Sequence, residues 1–177
     1  IGNTEKNATP AVTELILRLS QRFPRHFFFT TSYLTTQQVT DKQLPPNAGV
    51  IVSAINFPLR RIDGKDAKEK AFAGQLEQWK NVTKNIYIWD YINNFDDYLT
   101  PMPILKIARQ RLQFFKQHGA SGIFFNGSGY SYSSFDEMRT FVLSALLINP
   151  ELSVDNLTAS FFNQEYPAAK KWLYDYY

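Results

Sequence analysis

Aromatic and polar side chains directly follow four short apolar segments of this sequence, at the points where strands would end. They are Tyr33, Asn56, Trp89, Asp90, Tyr91 and Asn126. An aromatic face can cover the apolar side of a sugar ring, whereas amides and carboxylates hydrogen-bond its hydroxyl groups. The residue types therefore predict a pocket for a polar ligand of the carbohydrate kind.

The densest cluster, Trp89-Asp90-Tyr91, also has ordinary structural interpretations. Trp89 can pack beneath a helix as a core residue, and Asp90 can cap a turn or pair with a neighbouring cation. The acids that follow the cluster, Asp96 and Asp97, are interpreted as loop solvation or as a cap before the Pro-rich turn.

Hydrolysis of a glycosidic bond needs two carboxyl groups, one acting as the acid and the other as the base or nucleophile. Asp90 is the carboxylate that a strand end would position in this sequence, so it is a weak candidate for a catalytic residue. The second carboxylate would have to come from elsewhere, and the identity of the acid/base pair stays open.

The composition argues against several classes of site. Cysteine is absent, and the two histidines, His26 and His118, have no metal-ligand spacing, so neither a metal nor another cofactor is expected. The segment 126–129 reads NGSG rather than GxGxxG. A flavodoxin-like nucleotide or phosphate binder is therefore only a minor alternative.

The formal net charge of +3 arises from 19 basic and 16 acidic residues that are spread along the chain. A loose basic patch is interpreted as a solvated loop and helix face, and it consists of Arg60, Arg61, Lys65, Lys68 and Lys70. No nucleic-acid partner is expected. No apolar run approaches the roughly 20 residues of a membrane span.

Periodicity and turn residues predict the elements that would position the pocket. Nearly continuous apolar segments, typical of strands buried on both faces, are 26–34, 49–56, 85–92 and 122–128. Apolar residues at helical spacing and capping signals predict helices from an N-cap at Thr9 to Pro24, over 66–80, over 103–118, from Phe135 to Ile148 after a capping box at Ser134, from Ser153 through Phe162, and from Pro167 onward.

Strands that alternate with helices in this way predict an α/β fold of βα units with a parallel sheet. Four strands can form either a small open sheet or half of an eight-stranded barrel. A complete barrel needs about 250 residues, and the chain has 177. Residues 1–177 are therefore expected to form a single domain that is a fragment of a larger barrel protein.

Four stretches of the chain carry a family resemblance: TTSYL, AGVIVSAINFPLRR, IYIWDYINNFDDYLTPMPIL, and the segment that begins FFKQHGASGIFFNGSG. From about Arg25 to its end, the chain resembles the C-terminal half of a domain-of-unknown-function family related to bacterial glycoside-hydrolase (β/α)8 barrels. The Trp-Asp-Tyr strand with its Pro-rich sequel and the GxxGIFFNG turn are the most specific parts.

The resemblance implies a TIM-type (β/α)8 barrel whose strands five to eight lie in this chain, with Trp89, Asp90 and Tyr91 on the seventh and Asn126 on the eighth. Family members often carry Glu or Gln where Asn126 stands, which puts a catalytic carboxylate on that strand in doubt. Related barrels place the acid/base pair on strand four, outside these strands. The resemblance also implies a secreted bacterial protein of polysaccharide utilisation, either periplasmic or extracellular.

We therefore expect a carbohydrate-active module, part of a glycoside-hydrolase-like barrel, that contacts sugar through the strand-end residues. If it is an enzyme, it is a glycoside hydrolase, and the isolated chain is expected to be incomplete for catalysis. The alternative is a non-catalytic scaffold or interaction domain. Because unpaired sheet edges favour aggregation, the expected partners besides carbohydrate are the rest of the parent barrel or a second copy.

Overall fold

The computed structural model describes residues 6–127 and 135–177. The elements of these residues are, in chain order, α1 (Thr9–Arg22), β1 (Phe28–Ser32), a short 3₁₀ helix (Leu34–Thr36), β2 (Ala48–Ser53), α2 (Ala67–Lys80), β3 (Ile86–Tyr91), α3 (Leu105–Gln117), β4 (Gly122–Asn126), α4 (Asp136–Ile148), α5 (Val154–Glu165) and α6 (Lys170–Tyr176). The predicted α/β fold with a parallel sheet is confirmed.

Several helix ends differ from the sequence prediction by a few residues. The N-cap of α1 is Ala8 rather than Thr9, and the Asn7 side chain accepts a hydrogen bond from the Thr9 N–H at 3.0 Å. Helix α5 extends to Glu165 instead of ending at Phe162, and α6 begins at Lys170. Ser128, predicted to end the fourth strand, and Ser134, predicted to cap α4, lie outside the described residues.

The four strands lie side by side in the order in which they occur in the chain, β1-β2-β3-β4. Right-handed crossovers between consecutive parallel strands place the connecting segments on one face of a sheet. A doubly wound sheet, by contrast, reverses its strand order at a switch point. The observed order is therefore that of a singly wound sheet, which is consistent with half of a barrel.

The chain divides into two compact units. The first consists of Ile1–Pro58, Asp63–Tyr91 and Phe115–Phe125, and the second of Leu59–Ile62, Ile92–Phe114 and Asn126–Tyr177. The first unit contains the sheet up to Phe125. The single domain expected for residues 1–177 stays a prediction.

The sheet has a covered face and an open face, because side chains alternate between the two sides of a strand. The register pairs Val50 with Ile86 and Ile51 with Tyr87. The covered face is buried and carries Thr30, Ser32, Val50, Val52, Ile86, Ile88 and Asp90. The open face carries the partly or largely exposed residues Phe29, Ile51, Tyr87, Trp89 and Phe124. Of the two faces, the covered one therefore forms part of the buried core.

Aromatic packing forms part of the core of the first unit. The Phe57 ring lies 5.0 Å from the Phe72 ring and 5.4 Å from the Phe115 ring, and Leu76 and Trp79 on α2 are fully buried. Burial of each such side chain stabilises the folded chain by about 1.5–3 kcal/mol. These contacts join α2 and the end of α3 to the segment that follows β2.

Gly49 marks a close approach between strands. A Cβ atom at this position would lie 2.3 Å from the Asn85 carbonyl oxygen and 2.6 Å from the Phe29 ring. Only glycine fits at this point of β2 without moving the neighbouring strands.

The second unit is helical apart from its share of the sheet. Helices α4 and α5 pack against each other, and α6 packs against α5. Arg139 on α4 is 5% exposed, and its guanidinium donates a hydrogen bond to the Ile92 carbonyl. Desolvation lowers the pKa of Arg139, and burial raises the pKa of Tyr177.

Candidate functional site

Strand β3 sends the residues of the Trp-Asp-Tyr cluster to opposite faces of the sheet. Trp89 and Tyr91 are partly exposed, whereas Asp90, the residue between them, is fully buried. The Asp90 carboxylate accepts a hydrogen bond from the Tyr91 N–H at 2.8 Å. Asp90 therefore lies on the covered face with Ile86 and Ile88, and it does not join Trp89 on the open face.

Three of the predicted residues come together at the carboxyl ends of the strands, and we call them the aromatic platform: Tyr33, Trp89 and Tyr91. The Trp89 and Tyr91 rings are nearly parallel, with an interplanar angle of 19° and centroids 5.9 Å apart. The Tyr33 ring lies 6.0 Å from the Trp89 ring. The platform thus joins β1 to β3 across the end of β2.

Local backbone structure positions Tyr33. It follows β1 and caps the short 3₁₀ helix, and its carbonyl accepts hydrogen bonds from the Thr36 N–H at 3.0 Å and the Thr36 hydroxyl at 2.9 Å. This tight turn holds the tyrosine at the end of its strand.

The indole nitrogen of Trp89 is a buried donor. Within residues 6–127 and 135–177, Nε1 of Trp89 has no hydrogen-bond partner. An unpaired buried donor costs about 1–3 kcal/mol. The nitrogen is enclosed by protein atoms, so the part of Trp89 that a ligand could contact is its ring.

The open face continues from the platform toward the amino ends of the strands as an apolar concavity of about 400 Å³. Its lining residues are Phe27, Phe29, Ile51, Tyr87, Ile88, Ile123 and Phe124. Phe27 is 65% exposed and Phe124 is 59% exposed. In a closed barrel the open-face side chains among these residues, which exclude Ile88, would form the packed interior beneath the functional end.

A second, polar cavity of about 780 Å³ begins at the end of β2, and we call it the amide cleft. It is lined by Gln37, Gln38, Val39, Ser53, Asn56, Lys68, Ala71, Phe72, Gly74, Gln75 and Gln78. Asn56 belongs to this cleft rather than to the platform. Ser53 links the two features, because it is the register partner of Trp89.

Asn126, the last predicted site residue, ends β4 and belongs to the second unit. Its carbonyl accepts a hydrogen bond from the Ile92 N–H at 3.2 Å. In that unit, the structure supports the predicted capping role of Asp97. The Asp97 carboxylate accepts hydrogen bonds from the Thr100 hydroxyl and from the Leu99 N–H, and both lower the pKa of Asp97.

The amide cleft contains residues that the sequence prediction did not select. Four of them follow helical spacing and therefore lie on one side of α2, and this stripe is visible in the sequence: Lys68, Ala71, Gln75 and Gln78.

Phe124 was also missed, since its place on the open face becomes evident only with the sheet register. Glu69 is a further buried carboxylate, with Oε2 accepting from the Gly64 N–H at 2.8 Å.

No group of three or more acidic or histidine side chains that could hold a metal ion occurs in the described parts of the chain. None of the described helices has the length and apolar character needed to cross a bilayer.

The fold and the site define an α/β protein whose singly wound sheet presents aromatic and amide side chains at its strand ends. The model of a domain-of-unknown-function family, DUF4838, matches residues 8–177, and the chain belongs to this family. The match begins earlier than the resemblance seen from Arg25. Neither the curated proteins nor the solved structures contain a match to the chain.

Proposed function

We propose that this chain is a carbohydrate-active module, part of a glycoside-hydrolase-like (β/α)8 barrel, and that it contacts sugar through the aromatic platform. The observation that carries the proposal is the position of Trp89. It is partly exposed at its strand end on the open face, where its ring stacks on that of Tyr91 and lies 6.0 Å from that of Tyr33.

The chemistry of the platform fits a pyranose ring. Aromatic faces take up the C–H groups of a sugar, and a tyrosine hydroxyl can hydrogen-bond a sugar hydroxyl. Tyr33, Trp89 and Tyr91 supply both kinds of contact within about one ring's width of each other, at centroid distances of 5.9–6.0 Å. Asn56, which lies in the same unit, is proposed as a further hydroxyl contact, and the sugar contact expected of Asn126, in the second unit, stays a prediction.

Asp90 fits a positioning role better than direct sugar contact. Its carboxylate is fully buried on the covered face and accepts from the Tyr91 N–H. Glycoside hydrolysis needs two carboxyl groups that face the scissile bond. If the parent protein is a glycoside hydrolase, we propose that its acid/base pair comes from outside this chain, which binds rather than cleaves.

The open face and the sheet edges support a partner besides carbohydrate. Parallel sheets are normally covered on both faces, yet Phe27 and Phe124 are more than half exposed on the open side. The proposed cover is the rest of the parent barrel or a second copy of the chain. By family resemblance, the proposed location is periplasmic or extracellular.

Thermal unfolding with a panel of mono- and oligosaccharides tests the proposal. A glycan at about 100 times its dissociation constant adds roughly 2.7 kcal/mol of stability, which corresponds to about 5–10 °C for a chain of this size. In the Trp89→Ala variant we expect that shift to disappear, with each variant compared with its own midpoint without ligand.

Trp172→Ala is the matched control, because Trp172 is 71% exposed on α6 and should leave the shift unchanged. A glycan shift that survives in the Trp89→Ala variant would contradict the proposed site. If no glycan shifts the wild-type chain, the alternative of a non-catalytic scaffold is favoured, and the exposed apolar residues of the open face already support it.

A further inference from the structure

The amide cleft combines free hydrogen-bonding groups with a positive charge. The side-chain amides of Gln37, Asn56 and Gln78 make no hydrogen bond to another described residue, although each lines the cleft. Amides can both donate to and accept from the hydroxyl groups of a sugar. Phe72 adds an apolar surface to this lining.

Gln75 shows that the cleft is held in shape by its own contacts. Its Nε2 donates hydrogen bonds to the Ser32 hydroxyl at 3.0 Å and to the Gln37 carbonyl at 3.2 Å. The Ser32 hydroxyl also donates to the Gln37 carbonyl at 2.8 Å. These bonds fix the segment after β1 against α2, so the two sides of the cleft keep a defined spacing.

Lys68 gives the cleft a net positive charge. Among the described residues that line it, Lys68 is the charged one, and it forms no ion pair within the described chain. A cation without a partner in a polar cleft favours an anionic ligand group. A terminal phosphate fits less well, because Asp66 already accepts the Lys68 and Glu69 N–H groups at the start of α2, the donors that would bind phosphate.

The cleft and the aromatic platform meet at the end of β2. Ser53 lines the cleft and is paired in register with Trp89. A ligand longer than one sugar residue could therefore place one ring on the platform and the next in the cleft.

We infer that the amide cleft is a second subsite, which binds an acidic sugar residue of the same glycan through Lys68 and the surrounding amides. This inference rests on the proposed function, because it takes the platform as the neighbouring sugar site. The recognised chemistry is an anionic group on a sugar, either the carboxylate of a uronic acid or a sulfate ester.

Titration calorimetry with tetrasaccharides tests the inference. The probes are uronic-acid tetrasaccharides, neutral tetrasaccharides of the same ring stereochemistry, and sulfated forms of the neutral ones. The wild-type chain should prefer an acidic probe, and Lys68→Gln should weaken that binding about fivefold, as expected for a charge-assisted contact of an exposed side chain. Its affinity for neutral probes should stay the same.

The matched control is Lys70→Gln, since Lys70 is exposed on the same helix but does not line the cleft. The acidic preference should also shrink at high salt in the wild-type chain, because exposed charge pairs are screened, and Lys68→Gln should reduce that salt dependence. A merely structural role of Lys68 would lower neutral and acidic binding alike.

The outcomes separate the two proposals. Equal affinity for neutral and acidic probes, or equal effects of Lys68→Gln and Lys70→Gln, would overturn the acidic subsite while Trp89-dependent binding remained intact. If the wild-type chain bound none of the probes, the proposed function itself would be overturned, and the subsite with it. Comparison of the uronic-acid and sulfated arms identifies the anionic group.

Discussion

Trp89, Asp90 and Tyr91 are neighbours in the sequence but lie in different environments in the structure. The sequence identifies them as a cluster at a strand end, and the structure confirms the strand. Side chains alternate between the two faces of a strand. Asp90 is therefore fully buried, whereas Trp89 and Tyr91 are partly exposed. A cluster read along the sequence therefore supplies two groups with different environments, one for a ligand and one for the sheet interior.

Other residue-level predictions could not be made from the sequence. Gln37 and Gln78 line the same cleft although they are far apart in the chain. Their approach depends on how the segment after β1 packs on α2, which local spacing does not specify. The missing partner of the Trp89 indole is likewise a property of packing and not of residue type.

Tyr177 gives a prediction for alkaline pH. Its hydroxyl is buried without a partner in the described chain, and burial raises its pKa above the ordinary value of 10.0, against the influence of the Arg139 guanidinium. The unfolded chain then ionises this phenol before the folded chain does. The resulting contribution to stability is present below about pH 10 and is lost as the pH rises through the folded-state pKa.

Urea unfolding at pH 7 and above pH 10 measures this effect. Tyr177→Phe should lose less stability on alkalinisation than the wild type, and at pH 7 it should be neutral or stabilising by up to about 1 kcal/mol, because a buried unpaired hydroxyl is removed. Tyr176→Phe is the control, since Tyr176 is 71% exposed. Identical alkaline losses in the wild type and Tyr177→Phe would contradict the assignment.

At the scale of elements, the strands were the most predictable part of the fold. Apolar segments bounded by turn residues gave all four described strands, and helical spacing gave the helices to within a few residues. The capping residue Ser153 is confirmed, with its side chain accepting from the Asn156 N–H. The start of α1 was wrong by one residue, because the Thr9 N–H donates to the Asn7 side chain and the Thr9 hydroxyl donates to the Gln38 carbonyl instead of capping the helix.

The edges of the sheet lead to a prediction about self-association. Strands β1 and β4 lie at the two ends of the sheet order, and unpaired edges with an apolar face promote association. Sedimentation velocity of the isolated chain should therefore show species heavier than 20.5 kDa, increasing with concentration. Phe124→Lys on the open face should shift the distribution toward the monomer.

Ile148→Lys serves as the control for that measurement, because Ile148 is 88% exposed at the end of α4 and is not a residue of the open face. A monomer of 20.5 kDa at every concentration would show that the open face needs no cover.

At the scale of the whole molecule, the order of the strands matters more than any single motif. A sheet with the order β1-β2-β3-β4 keeps one face buried and leaves the other open. The sequence indicated parallel βα units but left a small open sheet and a half barrel as alternatives. The observed order is consistent with the half barrel, and membership of DUF4838 over residues 8–177 defines the family without defining its chemistry.

The division into two units also belongs to this scale. Tyr33, Trp89, Tyr91 and Asn56 lie in the first unit, and Asn126 lies in the second. Sequence spacing gave no sign of this division, because no linker-like composition separates the units. The aromatic platform and the amide cleft are therefore built from residues of the first unit alone.

The most direct test of the central claim is the indole N–H spectrum of the ¹⁵N-labelled chain during titration with a glycan that stabilises it. The chain has three tryptophans: Trp79 is fully buried, Trp172 is exposed, and Trp89 lies on the platform. We predict that the Trp89 indole signal shifts in proportion to bound glycan as a sugar ring packs against the indole face, while the signals of Trp79 and Trp172 stay unchanged. Saturation of the glycan without movement of the Trp89 signal would contradict it.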